Sequence, residues 1–156
     1  VTAGNASQLS DGAAAVLVAS RQAAEANGWE VLAWVRDYIT SGVEPARVMA
    51  APIPAVNSLL ERNELSVDDV DVFEHNEAFA SASCAVAKAC GLPDEKFNLN
   101  GGAVAIGHPL GATGARCLMT TINALRQNNG KLGVVTLCLG GGNAVGMLIE
   151  SALPTP

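Results

Sequence analysis

Three side chains with complementary chemistry stand out in this sequence: Asn76, His108 and Cys138. A cysteine thiolate near an imidazole can attack a carbonyl carbon or remove an acidic proton. Histidine and asparagine N–H groups can stabilise charge on a carbonyl oxygen, and glycine amides after the cysteine can form a second oxyanion hole. The set predicts acyl-transfer chemistry. It leaves open whether Cys138 is the nucleophile or a base.

His108 lies in a glycine-rich segment, residues 98–116, with five glycines around one His-Pro pair. Ordering such a loop is costly because glycine loses more backbone freedom on folding than other residues. Pro109 stiffens the backbone beside His108, and Gly107 lets other groups approach closely. A histidine held at the start of a helix is suited to hydrogen-bond donation or proton transfer.

Two nucleotide-binding interpretations of this loop fail. A phosphate loop needs lysine and then serine or threonine after Gly107, where this chain has His-Pro. The glycines at 107, 111 and 114 are spaced four and three apart, which does not fit the dinucleotide fingerprint. For the loop by itself, a glycine-rich turn with an incidental histidine remains the plain alternative.

Each candidate also has a structural explanation. Asn76 could be a helix N-cap, Glu77 a favourable first-turn charge and His75 a surface residue at a strand end. Cys138 could be a small buried apolar residue, and Gly140–Gly142 hairpin glycines. All three loci fall at corresponding ends of one predicted sheet, where ligands gather in α/β proteins. That coincidence favours a functional role.

The composition excludes several classes of function. The 156 residues have a formal net charge of -6, and 49% are apolar. This balance disfavours nucleic acid or an anionic membrane as partner. No apolar run approaches the ~20 residues of a membrane span, and we expect no signal peptide. Four cysteines without a C-x-x-C pair favour reduced thiols in a cytoplasmic protein. Because the two histidines show no paired ligand spacing, we expect no metal, and we also expect no cofactor.

Apolar periodicity and turn residues predict alternating strands and helices. Strands are expected at 13–20, 29–40, 70–74, 97–99, 131–139 and 144–150, and helices at 21–27, 50–60, 76–90 and 111–127. The run 13–20 has the pattern of a strand buried on both faces. A capping signal or turn is expected at 66–69, and a frayed tail at 153–156. The alternation predicts an α/β protein with a mixed, mostly parallel sheet covered by helices.

Four motifs in order resemble the successive signatures of thiolases, the acetyl-CoA acyltransferases. They are Val1-Thr-Ala-Gly-Asn-Ala-Ser7, Asn76-Glu-Ala-Phe-Ala80, Asn100-Gly-Gly-Ala-Val-Ala-Ile-Gly-His-Pro-Leu-Gly-Ala-Thr-Gly-Ala115 and Cys138-Leu-Gly-Gly-Gly142. Together they span residues 1 to 142. The similarity is to the carboxyl-terminal part of the family only, whose chains are more than twice as long.

The resemblance implies a thiolase-like layered fold with a five-stranded sheet. Residues 1–27 would end the amino-terminal domain, with the run 13–20 in that domain's sheet, and residues 28–156 would form the carboxyl-terminal domain. It also implies reversible Claisen condensation and thiolytic cleavage of coenzyme A thioesters in fatty acid metabolism. The nucleophilic cysteine would lie in a missing amino-terminal half or a partner chain, and the protein would be a homo-oligomer.

The resemblance further implies a role for each candidate. The cysteine matching Cys138 removes the α-proton of acetyl-CoA or protonates the leaving carbanion. The histidine matching His108 activates the nucleophile and, with a water held by the asparagine matching Asn76, binds the thioester oxygen. The amide matching Gly140 belongs to the second oxyanion hole. Substrate-contacting positions are Ser7, Ala78 and Phe79.

Two rival functions stay open. One is a self-contained Cys-His acyl hydrolase in which Cys138 is the nucleophile. The other is a non-catalytic subunit that only docks against a partner chain. Under the thiolase hypothesis, the 156 residues alone should be inactive and poorly stable, because the strand 13–20 would lack its sheet. Acyl-chain preference and reaction direction stay undetermined.

Overall fold

A computed structural model describes residues 1–152, so the predicted frayed tail at 153–156 lies outside the described residues. Five helices and four strands follow one another along this part of the chain. In order they are α1 (Arg21–Asn27), β1 (Ala33–Gly42), α2 (Pro52–Arg62), β2 (Val72–His75), α3 (Ala80–Cys90), α4 (Ala103–Ile106), α5 (Thr113–Gln127), β3 (Leu132–Leu139) and β4 (Asn143–Ser151). Short 3-10 turns cover Pro45–Ala50, Val67–Asp69 and Asp94–Lys96.

The strands form one mixed sheet in the order β1-β4-β3-β2. Only β2 and β3 are parallel, whereas β4 pairs antiparallel with both β3 and β1. The α/β class is confirmed. The expectation of a mostly parallel, five-stranded sheet is wrong for residues 1–152. The three-residue turn after Leu139 returns β4 antiparallel to β3, and β4 then lies between β3 and an antiparallel β1, so two of the three strand pairs are antiparallel.

In place of the predicted strand 97–99, the structure has a single β-bridge. Phe97 pairs in parallel with Phe73, and Asn98 N–H donates to the Phe73 carbonyl over 2.9 Å. The 3-10 turn Asp94–Lys96 ends immediately before this bridge. Asn98 then adopts a left-handed conformation, φ +47°, which turns the chain away from the sheet edge after one pair.

The predicted buried strand at 13–20 is not formed. Residues 11–20 have no regular secondary structure, and Leu17 and Val18 are 74% and 79% exposed. A strand needs a neighbour to pair its backbone N–H and C=O groups, and no described segment supplies one. Helix α1 has its predicted bounds: the Ser20 side chain caps its start, and Gly28 ends it in the left-handed region at φ +61°.

Other boundaries differ locally from the predictions. Helix α3 begins at Ala80 rather than near residue 76, because Glu77 has a left-handed φ of +59° that no α-helix accommodates. The predicted signal at 66–69 is confirmed as a capping box between Ser66 and Asp69. Helix α4, inside the glycine-rich loop, was not expected, since four residues are too few to show helical periodicity.

Two apolar clusters cover the two faces of the sheet. Helices α2 and α3 pack over one face, with Val56, Val86, Phe73 and Val134 in the same cluster. Helix α5 packs over the other, where Leu125 and Ala124 meet Val72 and Ile149. Alternating side chains of β2 and β4 serve both clusters: Phe73 and Leu148 belong to the first, and Val72 and Ile149 belong to the second. No helix within residues 1–152 combines the length and apolar character that crossing a bilayer requires.

Gly133 lets α5 approach β3 closely, so its substitution should destabilise the fold. A Cβ at this position would lie 2.6 Å from Thr121 Cγ2 and 3.1 Å from Leu125 Cδ1. We expect Gly133→Ala to lower the free energy of unfolding by about 1–3 kcal/mol, as overpacking does. Urea unfolding would measure the change.

The matched control is Gly114→Ala in the first turn of α5, where nothing lies within 4 Å of an added Cβ. Because alanine favours helix over glycine, this variant should keep or raise the free energy of unfolding by up to about 1 kcal/mol. Equal effects of the two substitutions would contradict the close packing at Gly133.

Candidate active site

Asn76 is held rigidly at the carboxyl end of β2. The last pair of the parallel ladder joins His75 to Thr136, and Asn76 N–H donates to the Thr136 carbonyl over 3.1 Å. The Asn76 carbonyl accepts from the Ala103 N–H over 2.9 Å, which joins the strand end to α4. Asn76 is only 1% exposed. The N–H and C=O groups of Asn76 are therefore both hydrogen-bonded, which fixes the backbone position from which the carboxamide extends.

His108 contacts Asn76 from the glycine-rich loop. Asn76 Nδ2 lies 3.3 Å from His108 Nε2, and His108 Nδ1 lies 2.7 Å from Thr113 Oγ1. The Thr113 hydroxyl donates its proton to the Pro109 carbonyl over 3.0 Å, so its oxygen accepts from His108 Nδ1–H. Nε2 therefore carries the lone pair and accepts from Asn76 Nδ2.

The surroundings favour a neutral imidazole at His108. Burial lowers the pKa of this side chain, and the nearby Arg116 guanidinium lowers it further. An unprotonated Nε2 can take up a proton, and once protonated it becomes a hydrogen-bond donor. Nε2 thus has the state that a general base needs at neutral pH.

Cys138 lies on the neighbouring strand, two residues beyond Thr136 in β3. It is half-buried, its Sγ lies 3.8 Å from Met49 Sδ, and burial raises the pKa of its thiol. Because β2 and β3 are parallel, Asn76 and Cys138 stand at the same edge of the sheet. Within the described residues no hydrogen bond joins Cys138 to Asn76 or His108.

The turn after Cys138 depends on glycine. Gly141 and Gly142 have φ values of +82° and +90°, and a Cβ on Gly142 would lie 2.3 Å from the Val43 carbonyl oxygen. The Gly140 carbonyl accepts from Asn143 Nδ2 over 3.3 Å. This supports the hairpin interpretation of the glycines, and the role of the Gly140 amide in an oxyanion hole stays a prediction.

The three predicted substrate-contacting residues come together. Ser7 N–H donates to the Ala78 carbonyl over 2.9 Å, and Ala6 forms an antiparallel bridge with Phe79. The segment that carries Ser7 therefore lies along the residues that follow Asn76. Ala78 is buried, whereas Ser7 and Phe79 remain partly exposed.

The structure differs from the plain alternatives for three neighbouring residues. Asn76 does not cap α3, since Phe79 is the N-cap. His75 is not a surface residue: it is 1% exposed, and its Nδ1 accepts from the Glu77 N–H over 3.3 Å. Glu77 does accept from a first-turn N–H, that of Val104 over 3.3 Å, but the helix is α4 rather than α3.

Sequence reasoning assigned no role to two charged residues beside Asn76. Arg116 Nη1 lies 2.7 Å from Glu74 Oε1, and Arg116 Nη2 donates to Asn76 Oδ1 over 2.9 Å. Burial raises the pKa of Glu74 to about 7, although the Arg116 charge opposes this shift. The signal available in the sequence was a charged residue, Glu74 or Arg116, within each of two mainly apolar elements. Helical spacing rules pair only residues three or four positions apart, so they could not pair residues separated by 42 positions.

Comparisons with known proteins show the family of this chain. A family model described as "Thiolase, C-terminal domain" matches residues 29–151. The chain belongs to the thiolase family. Two curated relatives are the acetyl-CoA acetyltransferase of Escherichia coli (strain K12), 47% identical over 96% of this chain, and the cytosolic acetyl-CoA acetyltransferase of Rattus norvegicus, 46% identical over 96%. The aligned part makes up 38% of each relative.

Solved thiolase structures share the fold. The acetyl-CoA acetyltransferase of Bacillus anthracis matches with a TM-score of 0.93 and 42% identity, covering 97% of this chain and 38% of that one. Human mitochondrial 3-ketoacyl-CoA thiolase matches with a TM-score of 0.89 and 37% identity, covering 98% and 39%. The chain therefore spans about two fifths of the length of the thiolases it matches.

The two histidines should both titrate below the ordinary range. Burial lowers the pKa of His75 to about 4, and that of His108 is also lowered. Because a depressed pKa keeps the imidazole neutral, both rings should be unprotonated at pH 7 and gain protons only as the pH falls below about 6.5, the ordinary histidine value. Ring signals in an NMR titration would measure this.

The control is the same chain unfolded in urea, where both histidines should titrate near the ordinary value of about 6.5. A His75 that titrates at this ordinary value in the folded chain would contradict its burial.

Proposed function

We propose that this chain supplies the carboxyl-terminal catalytic half of a thiolase, which makes or cleaves 3-ketoacyl-CoA by reversible Claisen chemistry. A cysteine outside these residues, in an amino-terminal half or a partner chain, would accept the acyl group. The observation that supports this most is the contact of Asn76 Nδ2 with His108 Nε2 over 3.3 Å, at the sheet edge where Cys138 also stands.

His108 would act first as a base. Its neutral Nε2 would take the proton of the nucleophilic thiol, and the resulting thiolate would attack the thioester or ketone carbonyl. The imidazolium would then donate from Nε2 to the thioester oxygen as enolate charge develops, with Asn76 contributing through its amide or a bound water. The contact of Nδ1–H with Thr113 Oγ1 over 2.7 Å supports this order, since it directs the lone pair to Nε2.

Cys138 would move the α-carbon proton. In cleavage, the bond between the α-carbon and the ketone carbon breaks, its electron pair becomes the acetyl-CoA enolate, and Cys138 Sγ–H protonates the α-carbon. Coenzyme A then releases the acyl group from the nucleophilic cysteine. In condensation the Cys138 thiolate removes the same proton. Burial that raises the thiol pKa supports a role as proton donor at neutral pH.

The remaining predicted site residues complete this proposal. Ser7, Ala78 and Phe79 would contact the pantetheine arm of the coenzyme A thioester, which is supported by the pairing of residues 5–7 with 78–80. The Gly140 amide would belong to the second oxyanion hole. No further cofactor is needed for this chemistry. Homo-oligomerisation and a cytoplasmic location stay predictions.

A self-contained Cys-His hydrolase has less support. Such an enzyme needs an imidazole that activates Cys138, but within the described residues the Cys138 Sγ contact is with Met49 Sδ at 3.8 Å, and no hydrogen bond joins Cys138 to a histidine. A raised thiol pKa also disfavours a resting thiolate. The docking-subunit hypothesis predicts no dependence of turnover on Asn76, His108 or Cys138, and the same experiment tests it.

The decisive experiment measures thiolytic cleavage of acetoacetyl-CoA by the complete enzyme that contains this chain. Losing the proton-transfer group should reduce kcat by roughly 10²–10⁴-fold in His108→Ala and Cys138→Ala. Losing an oxyanion donor should reduce it by roughly 10²–10³-fold in Asn76→Ala. The 156-residue chain alone should show neither turnover nor a burst of covalent thioester.

Cys84→Ala is the matched control, because Cys84 is an exposed thiol on α3 and should be dispensable. Unchanged turnover in the His108 and Cys138 variants would contradict the proposal and favour a docking subunit. A thioester burst on the isolated chain that depends on Cys138 would instead favour the hydrolase.

A further inference from the structure

We infer that Arg116 and Glu74 are positioning residues for Asn76, and that their buried ion pair sets which end of the Asn76 carboxamide faces His108. The inference deepens the proposed function, on which its kinetic consequence rests. Its structural part concerns only the described residues and can be tested without turnover.

The orientation of a carboxamide depends on its neighbours, because its two ends are similar in size but opposite in hydrogen bonding. Arg116 Nη2 donates to Asn76 Oδ1 over 2.9 Å, so Nδ2 is the end that faces His108 Nε2 at 3.3 Å. A flipped Asn76 would place its N–H groups against the guanidinium and its oxygen against the Nε2 lone pair. Both contacts would be repulsive.

Arg116 is in turn held by Glu74. The Nη1–Oε1 distance is 2.7 Å, Glu74 is 1% exposed, and the Arg116 side chain is 17% exposed. Glu74 and Asn76 are two positions apart on an extended segment, so both side chains point to the α5 side. The rigid fork of one guanidinium can reach both residues at once, which the single ammonium of lysine cannot reproduce.

The ion pair is poorly built for stability. Within the described residues, Glu74 Oε2 and Arg116 Nε are buried without a hydrogen-bond partner. Removing charges from water is costly, and a pair whose remaining polar atoms are unsatisfied recovers that cost incompletely. The contribution of this ion pair to stability does not explain why it is buried here. A role in setting the orientation of Asn76 does.

The titratable groups that interact electrostatically with the pair include His108 on the glycine-rich loop, Glu77 on the loop after β2 and Cys117 on α5. Glu77 already accepts from the Val104 N–H over 3.3 Å. Among these groups, the one contact with Asn76 Oδ1 that the structure records comes from Arg116.

The structural test reads the tautomers of His75 and His108 from ¹⁵N NMR shifts in the complete enzyme that contains this chain, with each ring signal assigned by substitution of that histidine. Wild-type His108 should be the Nδ1–H tautomer. Arg116→Met and Arg116→Lys should release the Asn76 amide, so the Nε2–H tautomer of His108 should become populated. If the methionine variant does not fold, the lysine variant, which keeps the charge, decides the test.

His75 is the internal control, because its Nδ1 accepts from the Glu77 N–H and its tautomer should be Nε2–H in every variant. Arg126→Lys is the matched control on the exposed face of the same helix, and it should change neither histidine. A His108 tautomer that is unchanged in folded Arg116 variants would overturn the inference.

The kinetic test is a double-mutant cycle in the complete enzyme. Loss of a hydrogen bond from a charged group should lower kcat roughly 10–100-fold in Arg116→Lys, with KM changed less than about threefold. In the Asn76→Ala background the same substitution should have almost no further effect, because the group it positions is gone. Equal losses in both backgrounds would overturn the inference in favour of a general structural role.

The two tests separate this inference from the proposed function. If the wild-type enzyme lacks thiolase activity but the His108 tautomer responds to Arg116, the positioning role stands and the proposed function fails. If the enzyme is active and neither the tautomer nor the cycle responds, the proposed function stands and the positioning role fails.

Discussion

The parallel pairing of β2 with β3 is the constraint on which the site depends. The four-residue ladder buries every residue from Val72 to His75, and its continuation to Asn76 N–H fixes the next residue too. Parallel strands bring their carboxyl ends to one edge, so Asn76 and Cys138 lie at the same edge although 62 positions separate them. The glycine-rich loop then only has to bring His108 to that edge.

Burial at this edge explains both the rigidity and the electrostatics of the site. Three consecutive polar residues, Glu74, His75 and Asn76, are each about 1% exposed. The alternation of a strand sends Glu74 and Asn76 to the α5 side and His75 to Ser83 on α3. Buried polar groups need partners, and low exposure disfavours charge, which is why both histidine pKa values are lowered and that of Glu74 is raised.

Membership of the thiolase family offers an explanation for the exposed apolar run at 13–20. Its composition predicted a strand buried on both faces, yet Leu17 and Val18 are mostly exposed in the described chain. The thiolases that this chain matches are more than twice as long, since the aligned part covers about 38% of them. Placement of this run in the sheet of an amino-terminal half therefore stays the prediction that accounts best for both observations.

The sequence by itself determined the family and those element boundaries that local capping residues set. The bounds of α1 follow from Ser20 and Gly28, because caps act on the backbone next to them. Tertiary structure decided the rest: within residues 1–152 the sheet has four strands with one parallel pair, the run 13–20 has no strand partner there, and Asn76 contacts His108 32 positions away. The Arg116 contacts with Glu74 and Asn76 also come from packing α5 on β2. Such contacts connect groups that are distant in the chain. They form because both groups are buried against the same sheet, where a polar group without water needs a hydrogen-bond partner.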